Sequence, residues 1–435
     1  MDDILEKVEK GTDGGDLSLP PYFRRNFIAF LVDYVSFGVA FSFINPSTVL
    51  PTFARTLTDY EPLIGLVGTV FAAGWLLPQL GIAAVIGGKP RKKPYLIAAV
   101  YAGRPLFLLL ALAVWAGLPR YPTAMLAVFL ASIGLFEVLD GISSVAWFDI
   151  LARAVPLERR GRLVGAGQLL SGMLGVAVGA LVGLILDNPR LSYPANYALL
   201  FTLSAVAHGP SVVALTLLRE PEGGRLEPRR SLRGFLKQLG GVWRGDRNFR
   251  RLMGYRWLIG LMNLALPFYI LHATEVVDLP ARTTGWFVSV QMVGGIVASV
   301  GLGWLSERHG PRPVIWLGAT AVLLSPLLAL CIHYAGEGPL LPAYSLVYFL
   351  LGVANSAWML GPLNYVLEMA PDGRRPLYVG LYNTLAGVLV PASLAGGFIL
   401  RATSYPALFG VTAAGVAAGL WLSLGLEKPW RGGAA

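Results

Sequence analysis

The chain has 435 residues, of which 55% are hydrophobic and only 14% are charged, a composition too apolar for an ordinary soluble protein. Its net charge of +10 would suit nucleic-acid binding, but the basic residues cluster between long apolar runs, which argues against that function. The four histidines lack metal-ligand spacing, and the sequence has neither a phosphate-binding loop nor a nucleophile motif. We therefore predict an integral membrane protein that is not an enzyme and has no cofactor.

Twelve apolar runs of about 20 residues predict an all-α protein with 12 transmembrane helices. They cover residues 26–48, 62–86, 95–117, 122–148, 162–186, 194–218, 251–274, 282–304, 313–334, 340–365, 376–399 and 404–426. If both termini are cytoplasmic, the basic residues that fall outside the cytoplasmic side are Arg55, Arg120, Arg190, Arg282 and Arg401, plus Arg104 and Arg256 within spans. This asymmetry predicts a multi-pass plasma or inner membrane protein with cytoplasmic N and C termini.

Polar segments divide the chain into two halves. Residues 1–25 form a mixed-charge tail without the apolar core of a signal peptide, and residues 427–435 form a second tail. The longest polar segment, 219–250, separates an N-terminal six-helix bundle (26–218) from a C-terminal one (251–426). Its apolar residues recur at helical spacing among arginines and lysines, which predicts an amphipathic helix on the cytoplasmic membrane surface or, alternatively, a partner-binding segment.

Charged residues inside the spans of the first half are the main candidates for function. Asp33 lies about two turns into the first span, and Arg104 lies near the middle of the third. Because an unpaired charge at that depth is costly, we expect a carboxylate partner, and Glu137 and Asp140 reach a similar depth in the fourth span. Their three-residue separation puts them on nearly one helix face, where repulsion favours a shared proton. We predict proton coupling through Asp33, Glu137 and Asp140; a structural Arg104 ion pair is the alternative for Asp140.

An internal repeat relates the two halves. A shift of 215 residues places 154–156 on 369–371 and 160 on 375, and a shift of 222 residues places 25–27 on 247–249. Such duplication indicates two equivalent halves and, in a membrane protein, a transporter whose site lies between them. The repeat register also pairs charged residues near the cytoplasmic surface, where we predict a latch that comprises Asp149, Arg153, Arg160, Arg162, Glu368 and Arg375.

The loop after the eighth span carries a family signature. It reads Gly303-Trp304-Leu305-Ser306-Glu307-Arg308-His309-Gly310-Pro311-Arg312. This segment resembles the G-x-L-x-(D/E)-R-x-G-x-(R/K) motif of the major facilitator superfamily (MFS), and the spans and repeat extend the resemblance over the whole chain. The resemblance implies two pseudo-symmetric six-helix bundles (the MFS fold), close helix packing at Gly303, and a cytoplasmic latch that includes Glu307, Arg308, Gly310 and Arg312.

Amides replace acids in the second half, since Asn355 lies over Asp140 in the repeat. This asymmetry suggests ion coupling in one half and solute contacts in the other. The candidate cavity residues that contact solute are Arg104, Arg256, Asn263, Gln291, Asn355 and Asn383. We predict a monomeric, proton-coupled secondary transporter that moves a small or amphiphilic solute by alternating access, with membrane lipids as neighbours and no nucleic acid. A lipid or amphiphile translocase on the same fold and a non-transporting membrane sensor or scaffold are the alternatives.

Overall fold

The computed structural model describes residues 20–86, 89–222, 240–335, 338–371 and 374–428, and these residues contain helices but no β-strand. Twelve of the described helices are long and apolar enough to cross a membrane, which confirms the predicted all-α architecture. In chain order they are α1 (Phe23–Phe43), α2 (Glu61–Gln79), α3 (Lys93–Trp115), α4 (Pro122–Ala154), α5 (Leu157–Leu186), α6 (Ala195–Leu217), α7 (Arg247–Val276), α8 (Thr283–His309), α9 (Pro311–Tyr334), α10 (Leu340–Met369), α11 (Leu377–Ala402) and α12 (Tyr405–Leu424). Most of the predicted linker helix in 219–250 lies outside the described residues.

Prolines interrupt five of these helices, including α6 at Pro210 and α11 at Pro391. In α3 the segment Lys93–Gly103 ends just before Arg104-Pro105, and a second segment begins at Leu106. In α7 and α10 the interruptions include Pro267 and Pro362. Because proline donates no backbone hydrogen bond and clashes with the preceding turn, it bends or breaks a helix at such points. The break in α3 places Arg104 at a bend rather than in a straight helix.

The two halves pack in the same way. In the N-terminal bundle (α1–α6), α1 packs on α5 and α6, α2 on α4, and α3 on α4 and α6. In the C-terminal bundle (α7–α12), α7 packs on α12 and α11, α8 on α10, and α9 on α10 and α12. The bundles meet along two seams, one between α5 and α8 and the other between α2 and α11.

The α5–α8 seam is tight at one end and open at the other. We call the face where α1 begins and α12 ends the terminal face, and the opposite one the far face. Toward the far face, a Cβ added to Gly172 would lie 2.8 Å from Ile296 Cγ1, and one added to Gly183 would lie 3.0 Å from the Arg282 carbonyl oxygen. Near the terminal face, a Cβ at Gly165 would meet nothing within 4 Å in the described part of the chain.

The α2–α11 seam follows the same course. A Cβ added to Gly68 would lie 2.7 Å from Ser393 Oγ, and the Leu394 backbone N–H donates to Thr69 Oγ1 at 3.1 Å. Farther toward the terminal face, a Cβ at Gly81 would meet no described atom within 4 Å. The bundles therefore converge at the far face and separate toward the terminal face.

Candidate functional site

A cavity of about 560 Å³ lies between the bundles, near the middle of the helices. Six helices of the N-terminal bundle and three of the C-terminal bundle contribute to its wall. Its large apolar and aromatic lining residues are Tyr34, Phe37, Phe41, Trp75, Trp147, Phe148, Leu215, Met262, Leu266, Met292 and Leu351. Such a concave, mostly apolar space with a few polar groups is typical of a small-molecule site.

One wall of this cavity carries three charged residues, Asp33 of α1, Arg104 of α3 and Asp140 of α4. Arg104 Nη1 lies 3.4 Å from Asp140 Oδ1, so the expected carboxylate partner is present. The Arg104 guanidinium also lies 4.6 Å from the centroid of the Phe37 ring, a cation–π contact. When all three groups are ionised, their charges sum to −1. We call this set the charged trio.

Asp33 is held by donors rather than by an ion pair. Its Oδ1 accepts a hydrogen bond from Ser211 Oγ at 2.6 Å, and its Oδ2 accepts one from Trp147 Nε1 at 2.8 Å. The residue is 6% exposed. Hydrogen bonds from two donors stabilise an ionised carboxylate at this depth and orient it toward the cavity.

Glu137 does not join the trio in the cavity wall. It is 2% exposed and faces α2, where a Cβ added to Gly74 would lie 2.6 Å from Glu137 Cβ. Its Oε1 is buried without a hydrogen-bond partner among the described residues. Three residues along a helix correspond to a rotation of about 60° between side chains, enough to direct Glu137 to α2 and Asp140 to the cavity. Asp140 therefore lines the cavity and Glu137 does not, and the shared proton stays a prediction.

The C-terminal bundle contributes amides to the cavity wall. Gln291 of α8 and Asn355 of α10 both line the cavity, and their contact with solute stays a prediction. Gln291 Oε1 accepts hydrogen bonds from Asn45 Nδ2 and Ser47 Oγ, each at 3.2 Å. These bonds join the bundles at the far-face end of the cavity and close it there.

Asn263 and Asn383 are not among the residues that line the cavity. Asn263 Nδ2 donates to the Gly260 carbonyl oxygen at 3.0 Å, next to the break of α7 at Leu261. Asn383 is exposed on α11. Both residues were predicted to contact solute because of their depth within the predicted spans. In the structure, a local hydrogen bond turns Asn263 away from the cavity, and the orientation of α11 turns Asn383 away from it.

Arg256 lies in an aromatic cage formed by Trp358 of α10 and Tyr382 of α11. Its Nη1 donates to the Tyr382 hydroxyl at 2.6 Å, and its guanidinium carbon lies 4.0 Å from the Trp358 ring centroid and 4.3 Å from that of Tyr382. The cage is separate from the lining of the cavity. We call these three residues the Arg256 cage.

Three ion pairs of the described residues join the bundles at the far face, and the longest of them joins Arg282 Nη1 to Asp187 Oδ2 at 3.8 Å. Arg55 Nε lies 2.7 Å from Glu275 Oε1, and Arg401 Nη1 lies 3.6 Å from Glu61 Oε2. Each pair links one bundle to the other. Sequence reasoning missed them, because it treated these arginines only as exceptions to the charge asymmetry and nothing in the spacing indicates which distant loop residue each would meet.

Part of the predicted latch forms in the N-terminal bundle, with different partners. Asp149 pairs with Arg153 at 2.6 Å and with Lys92 at 2.5 Å, and Arg153 also pairs with Glu220 at 2.6 Å. Arg160, which was predicted to belong to the latch, donates hydrogen bonds to the carbonyl oxygens of Val155 and Ala152. The four-residue network ties α3 and α4 to the start of the linker. Arg162 is exposed.

In the described part of the chain, the motif Gly303–Arg312, which spans the end of α8 and the start of α9, contains no such ion pairs. Within the described residues, Glu307 forms no ion pair with Arg308 or Arg312; Arg308 stacks on Trp304 at 4.5 Å and Arg312 on Trp316 at 5.1 Å. Gly310 has φ 78°, a conformation that favours glycine, and it makes the turn into α9. The remaining predicted latch residues, Gly303, Glu368 and Arg375, lie at or near this face, the last two exposed.

Comparisons with known proteins agree with the fold. The family model described as Major Facilitator Superfamily matches residues 258–434. An uncharacterized protein of Mycobacterium tuberculosis is 26% identical over 369 residues, which cover 81% of this chain and 69% of that protein. The galactose-proton symporter of Escherichia coli is 30% identical over 128 residues, 29% of this chain and 25% of the symporter. The crystal structure of a D-xylose-proton symporter superposes with a TM-score of 0.68 and 14% identity, covering 95% of this chain and 100% of that one.

Proposed function

We propose that the chain is a proton-coupled secondary transporter of the major facilitator superfamily and that it moves a small solute by alternating access. The observation that carries this proposal is the central cavity, which lies between two repeated bundles and holds charged side chains at mid-depth. A membrane protein tolerates buried ionisable groups mainly where they face a water-filled path. The match of residues 258–434 to the family model and the shared fold support the family membership predicted from the motif at the α8–α9 junction, whereas solute and coupling belong to the proposal.

The two seams provide the conformational change. Because they are closed at the far face and open at the terminal face, rocking one bundle against the other would close the second end and open the first. The far-face ion pairs Arg55–Glu275 and Glu61–Arg401 would then break. If the terminal face is cytoplasmic, as the distribution of lysine and arginine favours, the described conformation faces inward in the cell membrane. We propose that one chain suffices, since each bundle supplies part of the cavity.

The charged trio is the proposed proton-coupling site. With all three groups ionised it carries one net negative charge in a low-dielectric wall, and a single proton on Asp33 or Asp140 makes it neutral. A neutral trio costs less to enclose when the crevice closes, so proton binding and the conformational change are coupled. Glu137, buried behind Asp140, would act as a second proton acceptor without touching solute.

Solute would lie between the charged trio and the amides of the other bundle. Gln291 and Asn355 offer hydrogen-bond donors and acceptors, and the aromatic and methionine side chains accept an apolar body. Asn263 and Asn383 have no such role in this conformation. At the terminal face, the latch residues of α8 and α9 would pair when the crevice closes there.

A flux assay on the purified protein tests the proposal. A thermal-shift screen at two pH values first identifies a stabilising solute. Its uptake into proteoliposomes is then driven by an imposed pH gradient. We expect Asp140→Asn and Asp33→Asn to abolish proton-driven accumulation, while Glu137→Gln reduces it less because this side chain is outside the cavity wall. Asp278→Asn, at an exposed position in the loop between α7 and α8, is the matched control. Intact proton-driven accumulation in all three cavity-region variants would refute the proposal.

A further inference from the structure

The Arg256 cage holds a charge without a counter-ion. Within the described residues no carboxylate lies within 4.0 Å of the Arg256 guanidinium, and its Nε is buried without a hydrogen-bond partner. The neighbours are two aromatic rings and one phenolic hydroxyl. A largely buried guanidinium in a membrane-spanning bundle is expensive unless an anion compensates it. Arg104, by contrast, has Asp140 beside it.

The internal repeat relates this cage to the cavity wall. The 222-residue register places Arg256 on Tyr34, and the 215-residue register places Trp358 on Ser143. Tyr34 and Ser143 both line the central cavity. The cage is thus the C-terminal counterpart of a wall position in the N-terminal bundle, at a similar depth.

Helix geometry also connects the cage to the cavity. Asn355, which lines the cavity and is exposed there, precedes Trp358 by three residues on α10. Residues three apart lie on the same side of a helix, about one turn from each other. Since α10 runs from the far face to the terminal face, the cage lies next to the cavity on the side where the crevice opens.

We propose that the Arg256 cage binds an oxyanion, a carboxylate or phosphate group, carried by a solute with an apolar or aromatic body. The guanidinium supplies the charge and N–H donors, Trp358 and Tyr382 hold its plane in place, and Leu351 and Met262 of the cavity receive the apolar part. This inference rests on the proposed transport function and specifies its substrate class as organic anions.

Charge balance links the cage to the charged trio. With Asp33, Arg104 and Asp140 all ionised, the cavity wall carries one net negative charge and repels an entering anion. One proton on the trio removes that repulsion. A monoanion and one proton would therefore bind and move together, with no net charge transferred.

An anionic lipid headgroup presents the same chemistry from a different source. The crevice is open toward the terminal face, where such a headgroup would be found. The test therefore compares nanodiscs of phosphatidylcholine alone with nanodiscs that also contain phosphatidylglycerol. The soluble probes are benzoate and inorganic phosphate.

The experiment measures binding of each probe to the purified full chain by calorimetry. We expect binding to wild type, and a loss of affinity of about tenfold or more in Arg256→Gln because a charge-assisted contact is removed. Tyr382→Phe, which keeps the ring and removes the hydroxyl, should weaken binding by a smaller factor. Arg308→Gln is the matched control, because Arg308 also stacks on a tryptophan but lies at the exposed end of α8.

Two outcomes would support the anion site, and each would identify which kind of molecule carries the anionic group. Probe binding that depends on Arg256 in phosphatidylcholine alone indicates a soluble organic anion. Stabilisation by phosphatidylglycerol that is lost in Arg256→Gln, with no binding of benzoate or phosphate, indicates a lipid headgroup. The proposal is overturned if Arg256→Gln and Tyr382→Phe, both folded by thermal unfolding, match wild type toward probes and lipid, or if wild type responds to neither. That result would leave proton-coupled transport of a different solute untouched, since the flux assay with Asp33→Asn tests it separately.

Discussion

The two bundles share a scaffold but differ in how they treat buried charge. In the N-terminal bundle, Arg104 and Asp140 pair directly and Asp33 is held by two hydrogen-bond donors. In the C-terminal bundle, an amide replaces the acid, and Arg256 is enclosed by aromatic rings without a carboxylate among the described residues. One half thus places a carboxylate beside its buried cation, whereas the other encloses its cation in aromatic rings. The two halves of the repeat thus share their helix packing but differ in their buried polar residues.

Removal of Arg104 should have the largest effect of the changes considered, because it takes the cation out of the charged trio. Arg104→Gln leaves Asp140 and Asp33 buried near each other without a cation, and we expect a loss of about 3–5 kcal/mol of stability, the range for an orphaned buried charge. Unfolding of the protein in bicelles measures the loss. The double variant Arg104→Gln with Asp140→Asn should recover most of it, and Arg120→Gln at the exposed far surface should change little. Equal stability of the single and double variants would contradict the interpretation.

Conversion of Asn355 to aspartate should make the second bundle resemble the first. The added negative charge in the cavity wall repels a bound anion across roughly 10 Å, which corresponds to about 1–2 kcal/mol at an intermediate dielectric. Calorimetry with benzoate should therefore show affinity weakened by about one order of magnitude at neutral pH, with partial recovery under acidic conditions as the introduced carboxylate takes a proton. Asn188→Asp, near the far face, supplies the comparison. Unchanged affinity in Asn355→Asp would show that a charge in the cavity wall does not influence anion binding at the Arg256 cage.

The smallest effect is expected at the contact between the bundles rather than within either one. Arg55 and Glu275 are each about one-third exposed, so their pair contributes roughly 0.2–1 kcal/mol. Glu275→Gln should shift the conformational equilibrium modestly toward far-face opening. Spin labels at residues 190 and 404, in a Cys331→Ser background, report the distance. A swapped pair, Arg55→Glu with Glu275→Arg, should restore the original distribution, and no difference among the variants would remove this pair from the gate.

Sequence alone allowed the helices and the depth of the charged trio to be predicted. Both depend on local features, namely the length of an apolar run and the free-energy cost of a charge within it. The 215-residue register correctly brought Asn355 to the same cavity as Asp140. It could not separate Glu137 from Asp140, since about 60° of helix rotation decides which neighbour each side chain meets.

Contacts between distant segments were also beyond reach. The partners of Asp149 and Arg153 include Lys92 and Glu220, which belong to other helices and the linker. The far-face pair Arg55–Glu275 joins residues 220 positions apart and exists only while the bundles converge there. Under the proposed alternating access, such contacts would form in one conformation and be absent from the other, whereas the sequence has to suit both conformations.

If the bundles rock as proposed, the tapered seam between α5 and α8 would act as a lever. Its pivot lies near Gly183, where the backbones nearly touch, and its free end lies near Gly165, about 27 Å away along the helix. A tilt of only about 10° at the pivot would sweep the free end through roughly 5 Å, enough to admit or exclude a small molecule. Because glycines allow the helices to approach closely near Gly183, a small movement there would open or close the crevice to a small molecule at the opposite face.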